Sequence, residues 1–215
     1  EFEFSYAEGT APRFSARAKI EDLSFAAIAG LPGVSGLSGW LEGNLQAGSL
    51  HLDSVRASLL MPSVFTTTLD LTHLAGVVHW QRDADLFRID SRQLRVESGD
   101  LSVLARWQLD WPYQQASPWL DMQLAVDDFP LNQVGYHLPE NIMRPKAVAW
   151  LKRAFVVGTA TNARVLLQGR MDQMLFDNAE GRFEARFGFE DVILDYHPDW
   201  GRLDELDGYA VFAGR

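Results

Sequence analysis

Histidine and carboxylate spacing is the first place to look for chemistry. His51, His73, His79, His137 and His197 include no pair four apart and no HExxH pattern, so a helical zinc site is unsupported. His51 and His79 fall in alternating segments, where a solvated strand face explains them better than a metal does. Asp83 with Asp85, and Asp127 with Asp128 before Phe129-Pro130, are carboxylate pairs of the kind used for acid–base work or calcium. Both pairs sit at breaks in the pattern, where Asp is ordinary turn chemistry. Gly33-Val34-Ser35 begins like the nucleophile elbow of serine hydrolases, but Leu37 stands where the second glycine is required. The absence of Cys removes disulfides, thiolate zinc sites and cysteine nucleophiles together. There is no Walker-type loop and no dinucleotide fingerprint. The residues call for no cofactor, no metal and no catalytic group, and the chain reads as non-enzymatic.

Tryptophan is the other functional candidate, with 7 residues at positions 40, 80, 107, 111, 119, 150 and 200. Aromatic platforms beside carboxylates would suit a glycan-binding β-sandwich. Trp80 and Trp107 instead share faces with apolar neighbours, which favours packing, and Trp150 beside Leu151 reads as the docking anchor of a helix.

The elements that must position these residues are mostly strands. Leu101, Val103, Ala105, Trp107 and Leu109 alternate with Ser102, Arg106, Gln108 and Asp110. Leu120, Met122, Leu124 and Val126 alternate with Asp121 and Gln123, and Phe183, Ala185, Phe187 and Phe189 with Arg182, Glu184, Arg186 and Glu190. Period two with one apolar side is the pattern of half-buried antiparallel strands. Further strands are expected over 13–20, 37–46, 49–60, 74–81, 86–97, 159–169, 192–197 and 207–213. Turns are expected at Ala47-Gly48, 82–85, 98–100 and Glu180-Gly181. The glycine-rich stretch from Gly30 to Gly39 reads as a flexible approach to a strand. One segment changes period: Val148, Leu151, Ala154 and Phe155 recur at helical spacing after Pro145, predicting a helix over 146–156 that Gly158 ends. Residues 129–137 add a short helical turn, and 138–141 a loop.

A repeat runs through the first half. Leu37-Ser38-Gly39 and Leu74-Ala75-Gly76 each open a strand, and Leu50-His51-Leu52-Asp53-Ser54 and Phe87-Arg88-Ile89-Asp90-Ser91 occupy the matching second strands, 37 positions apart in both cases. Leu206-Asp207-Gly208 begins what looks like another unit. Such repeats suggest an array that grows by adding strands.

Composition bounds the reading. The 215 residues are 47% hydrophobic, 22% charged and 12% aromatic, with a net charge of −10. That is one large domain or two small ones, too apolar for a disordered chain. The acidity argues against nucleic acid and against electrostatic docking on an anionic membrane. No apolar run approaches the roughly 18 residues of a transmembrane helix. The chain opens as a strand at Glu1–Tyr6 and closes on Val211–Arg215 as a strand lacking its partner, and so reads as a segment of a longer polypeptide. Such a sheet must cover its apolar face, and one short helix cannot do so. A closed sandwich, a barrel, or an open curved sheet holding an apolar ligand would each satisfy it. The last would bury less than the roughly 70% of unfolded surface that a compact chain of this mass buries.

From about residue 30 onward the sequence resembles the YhdP family of the AsmA-like superfamily. The specific stretch is Tyr136-His137-Leu138-Pro139, Met143, Ala149-Trp150-Leu151-Lys152-Arg153-Ala154-Phe155 and Gly158. It continues through 165–169, Phe176, Glu180–Ala185, Leu194–Trp200 and Leu206–Gly214, with Leu175 a departure where the family pattern has Pro. The resemblance implies a mainly β chain, a long curved antiparallel sheet forming an open apolar groove with one short amphipathic helix. It implies a β-groove segment over 1–130, a loop and helix over 131–157, and continuation of the groove over 158–215. It further implies a periplasmic segment of an inner-membrane-anchored, bridge-like lipid transfer protein, with phospholipids as cargo, the inner and outer membranes contacted through parts absent here, and no cofactor. The groove candidates are Val103, Ala105, Trp107, Leu109, Leu120, Met122, Leu124, Val165, Leu167, Phe183, Ala185, Phe187, Leu194 and Tyr196. The rival reading is a non-enzymatic envelope scaffold with a closed β-sandwich core.

Overall fold

Apart from β9, each described strand pairs with the next along the chain, and one sheet results. The structure, a computed structural model, describes residues 2–5, 13–28, 32–115, 117–173 and 181–214. The strands are β1 (Phe2–Ser5), β2 (Arg13–Phe25), β3 (Gly33–Gly43), β4 (Ala47–Leu60), β5 (Leu69–Arg82), β6 (Leu86–Ser98), β7 (Leu101–Pro112), β8 (Trp119–Val126), β9 (Phe129–Pro130), β10 (Phe155–Arg170), β11 (Arg182–Leu194) and β12 (Leu203–Gly214). The order is β1-β2-β3-β4-β5-β6-β7-β8-β10-β11-β12, antiparallel throughout, with β9 continuing the line of β8 along β10. β1 and β12 lie at opposite edges, so the sheet is open and not a barrel. Among the described residues there is no second sheet, and the closed sandwich core of the rival reading is not formed.

The register turns alternation into two chemically distinct faces. One row runs Leu94, Ala105, Leu124, Val165, Ala185, Phe212 across six strands. On the other face a matching row runs Asp90, Gln108, Asp121, Gln168, Arg182. Among the described residues, buried apolar side chains gather in two small clusters. One joins Leu37, Leu52, Ala57, Leu71 and Leu74, and the other Leu131, Ala160 and Val192. The accessible surface is 13917 Å², against roughly 10,000 Å² for a compact monomer of this mass. The excess is what a single layer with an uncovered face produces.

The strands are interrupted by a recurring irregularity. Asp22, Arg56, Asn162, Asp191 and Glu205 have φ between 52 and 63°, and Gly36 has φ 75°. Register shifts surround these positions in the β2–β3, β3–β4, β10–β11 and β11–β12 pairs. These are β-bulge features, which bend and twist a strand. They also reset the alternation: Leu52 and Ala57, five apart in β4 on either side of Arg56, belong to one buried cluster. The backbone groups freed at the bulges are met by side chains 16 residues away on the next strand. Ser38 Oγ accepts from the Asp22 N–H (3.2 Å), Ser54 Oγ from the Ser38 N–H (2.8 Å), and Asp207 Oδ1 from the Asp191 N–H (2.9 Å). This is the physical content of the repeat: Ser38 and Asp207 are the middle residues of Leu-x-Gly, and Ser54 ends the Asp-Ser unit. The motif glycines follow suit. A Cβ on Gly39 (φ 153°) or Gly76 (φ 149°) would overlap the carbonyl oxygen of His51 or Gln93 on the adjacent strand.

Several expectations are corrected. The helix, α1, spans Pro145–Ala154 and runs directly into β10, so Gly158 does not end it. Gly158 lies inside β10, where its missing side chain makes room for Val192. Of the strand expected over 192–197, only residues 192–194 form strand; they are the end of β11, separated from Phe183–Phe189 only by the bulge at Asp191. Ala47 and Gly48 belong to β4, and the turn lies at 44–46, where Asn44 Oδ1 accepts from the N–H groups of Gln46 and Ala47. Gly33 to Gly39 is strand, not approach, while Gly30, Leu175, Phe176 and Glu180 lie outside the described residues. The helical turn expected near 129–137 is a 3-10 turn at Leu131–Tyr136, and the loop after it holds another at Glu140–Ile142.

Candidate functional site

The apolar face is the candidate, because it is the largest feature that the fold itself leaves unfinished. Val103, Trp107, Leu120, Met122, Leu124, Val165, Leu167, Phe183, Ala185 and Phe187 all lie on it, in register, and all remain partly accessible. Ala105 and Leu109 lie on the same face and are buried by their neighbours. Leu194 packs at the end of β11 against the Leu131–Ala160–Val192 cluster. Tyr196 lies beyond the sheet, 49% exposed, edge-on to Trp150 of α1 at 6.4 Å between ring centroids. Residue spacing missed several members of the face. Leu74, Val78, Leu94 and Val96 join it in β5 and β6, and Phe212 stacks on Phe187 at 6.0 Å. Alternation within 74–81 and 86–97 carried the first four, but the irregular pairing of Ser91–Leu94 hides that they share a side with Trp107.

Along this face the described side chains bring no reactive set together. Among the described residues no three His, Asp or Glu side chains cluster to hold a metal ion. Charged side chains line the opposite face, where some pair across strands. Arg88 grips Asp110 across the β6–β7 pair with Nε–Oδ1 2.6 Å and Nη2–Oδ2 2.9 Å. This hydrogen bond holds the Asp110 carboxyl below the usual carboxylate range, against the opposing effect of burial. Trp40 stacks on His51 at 3.6 Å on that same face, with the Arg17 guanidinium 4.8 Å from the indole. Trp80 is held on the apolar face by its Nε1–H, which donates to the Asn44 carbonyl at 3.0 Å. The polar face fixes the sheet in water, and the apolar face is left available.

The helical segment between β9 and β10 covers part of that face. Leu131, 3% exposed, joins Ala160 and Val192, with Phe187, Phe189 and Leu206 packed around them. Trp150 Nε1–H donates to the Tyr196 carbonyl at 3.1 Å, which docks α1 against the β11–β12 connection as its sequence suggested. No helix among the described residues is long and apolar enough to cross a membrane.

One open antiparallel layer, with a polar row on one face and an apolar row on the other, defines a class of single-sheet β protein. Residues 2–215 match the family described as YhdP protein, and the chain belongs to that family. It is 25% identical over 191 residues to the intermembrane phospholipid transporter YhdP of Escherichia coli strain K12, a match covering 89% of this chain. The chain spans 15% of that relative's length. No solved structure matches it.

Proposed function

We propose that this chain is one stretch of a non-enzymatic bridge in the periplasm, anchored in the inner membrane through other parts of the protein, which carries phospholipids between the inner and outer membranes. The apolar face is the floor of a trough along which acyl chains lie, with headgroups in water. The observation that carries this reading is the unbroken apolar row from Leu94 to Phe212 on a face with no covering sheet. A phospholipid has about 30 methylenes, whose exposure costs on the order of 25 kcal/mol at about 0.8 kcal/mol each. A shallow, repetitive apolar surface offsets most of that without a deep minimum to trap the cargo. The family membership and the relative's name as a phospholipid transporter support the same substrate class.

Native mass spectrometry with lipid extraction tests it. Phospholipid is expected to co-purify with the chain and to be lost in Met122→Asp or Phe187→Asp, each of which puts a charge on the half-covered face. Gln123→Asp, on the opposite face, is expected to keep it. Unfolding of both apolar-face variants by circular dichroism would make these ordinary core positions and end the trough reading.

A further inference from the structure

The segment from Leu131 to Ala154 is fastened at three places that lie progressively farther along the sheet. Nearest its own strands, Leu131 and Ala154 are buried at 3% and 0% exposure, and the Leu131 side chain packs among residues of β10 and β11. Next, Gln133, Tyr136 and His137 face Ser98, Gly99 and Asp100 of the β6–β7 turn across an opening of about 360 Å³. Farthest out, Asn141 reaches the β4–β5 loop. Its backbone N–H donates to the Val64 carbonyl at 3.0 Å, and its side-chain amide donates to the carbonyls of Pro62 (2.8 Å) and Phe65 (3.1 Å). The chain then turns back as α1, with Lys152 paired to Glu140 at 2.6 Å.

β5 and β8 are three strand spacings apart, roughly 14 Å. A segment that leaves β8 and touches the β4–β5 loop therefore crosses the ends of β5 to β8. The apolar row Leu74, Val96, Val103, Val126 runs just inside those ends. The fastenings differ in kind. The near end is held by buried apolar packing. Beyond Leu138, which is itself 9% exposed, the far end is held by hydrogen bonds of an exposed Asn to loop carbonyls, and these exchange for water at little net cost. An element built this way opens at its far end while staying attached at the other.

We propose that residues 131–154 form a strap over one side of the apolar face, latched by Asn141, and that its release is the side entrance through which a phospholipid enters or leaves. This rests on the lipid reading above. Asn141 is a positioning residue: it touches no cargo and acts by holding the strap shut.

The test follows uptake of a fluorescent phosphatidylethanolamine from vesicles of phosphatidylethanolamine and phosphatidylglycerol, alongside hydrogen exchange over 131–143. Asn141→Ala removes the two side-chain bonds, and is expected to raise strap exchange and speed uptake by roughly threefold to tenfold at unchanged capacity. The chain has no native Cys, so Val64→Cys with Asn141→Cys gives a unique pair whose oxidation is expected to slow uptake at least as much, reversibly with reductant. Faster strap exchange in Asn141→Ala with unchanged uptake would overturn the entrance and leave the lipid reading intact, provided Met122→Asp still abolishes uptake. Unchanged strap exchange would overturn the latch itself. No uptake by the unaltered chain would overturn both readings.

Discussion

Ser54 and Ser91 are 0% and 1% exposed, although both are polar and both lie in mid-strand. Their hydroxyls complete backbone that the bulges would leave unpaired. Ser54 Oγ accepts the Ser38 N–H and donates to the Ser38 carbonyl at 3.1 Å, and Ser91 Oγ donates to the Val77 carbonyl at 2.7 Å. Removing one such hydroxyl leaves buried groups without partners, a loss of about 1–3 kcal/mol. Ser54→Ala is therefore expected to lower the urea midpoint by that equivalent at unchanged slope. A shift below about 0.5 kcal/mol, the size of an ordinary surface substitution, would mean that water takes the place of the hydroxyl. The recurrence of Ser54 and Ser91 was legible in the sequence as a repeat 37 residues long. Its purpose was not, because the group that Ser54 serves is 16 residues away on another strand, and nothing local to either residue signals the pairing.

At the scale of elements, alternation gave β7 and β8 almost to the residue, since neither contains a left-handed residue and each keeps one phase from end to end. β11 was split into two because Asp191, at φ 53°, resets the phase. The helix was found by its spacing, but its end was misplaced: the chain enters β10 at Phe155 in extended conformation and needs no glycine cap. The strap's reach was illegible, since Asn141 and its loop partners lie 76 and 79 residues apart. Within the strap, His137 packs edge-on to Phe129 at 5.6 Å, and burial pushes its imidazole below the ordinary value near 6.5. The packed form thus favours neutral imidazole. The stability this contributes is present above about pH 6.5 and is lost as pH falls through the lowered native value. Burial alone accounts for the shift, although Asp100 lines the same opening. Acidification from about pH 7.5 to 5.5 is expected to raise amide exchange over 131–143 beyond the intrinsic rate change. His137→Phe is expected to remove that rise, and a rise that persists in this variant would assign it to another group.

For the molecule as a whole, the governing quantity is the surface that folding fails to bury. An unfolded chain of this mass exposes roughly 35,000 Å², and a compact fold of it would leave about 10,000 Å². This sheet leaves 13917 Å², so folding removes roughly 60% of the unfolded surface where a compact domain removes about 70%. The dependence of unfolding free energy on denaturant scales with the area exposed on unfolding. The urea slope is accordingly expected to fall about 15% below that of a compact domain of the same length. Phospholipid bound to the native face but not to the unfolded chain raises the midpoint with concentration. The two effects come from one cause, the uncovered apolar side, and belong together. A slope matching a compact domain, with a midpoint indifferent to phospholipid, would mean that the face is closed in solution by another copy of the chain. Sedimentation at the same protein concentration would then show the dimer, and the trough would be an interface rather than a path for lipid.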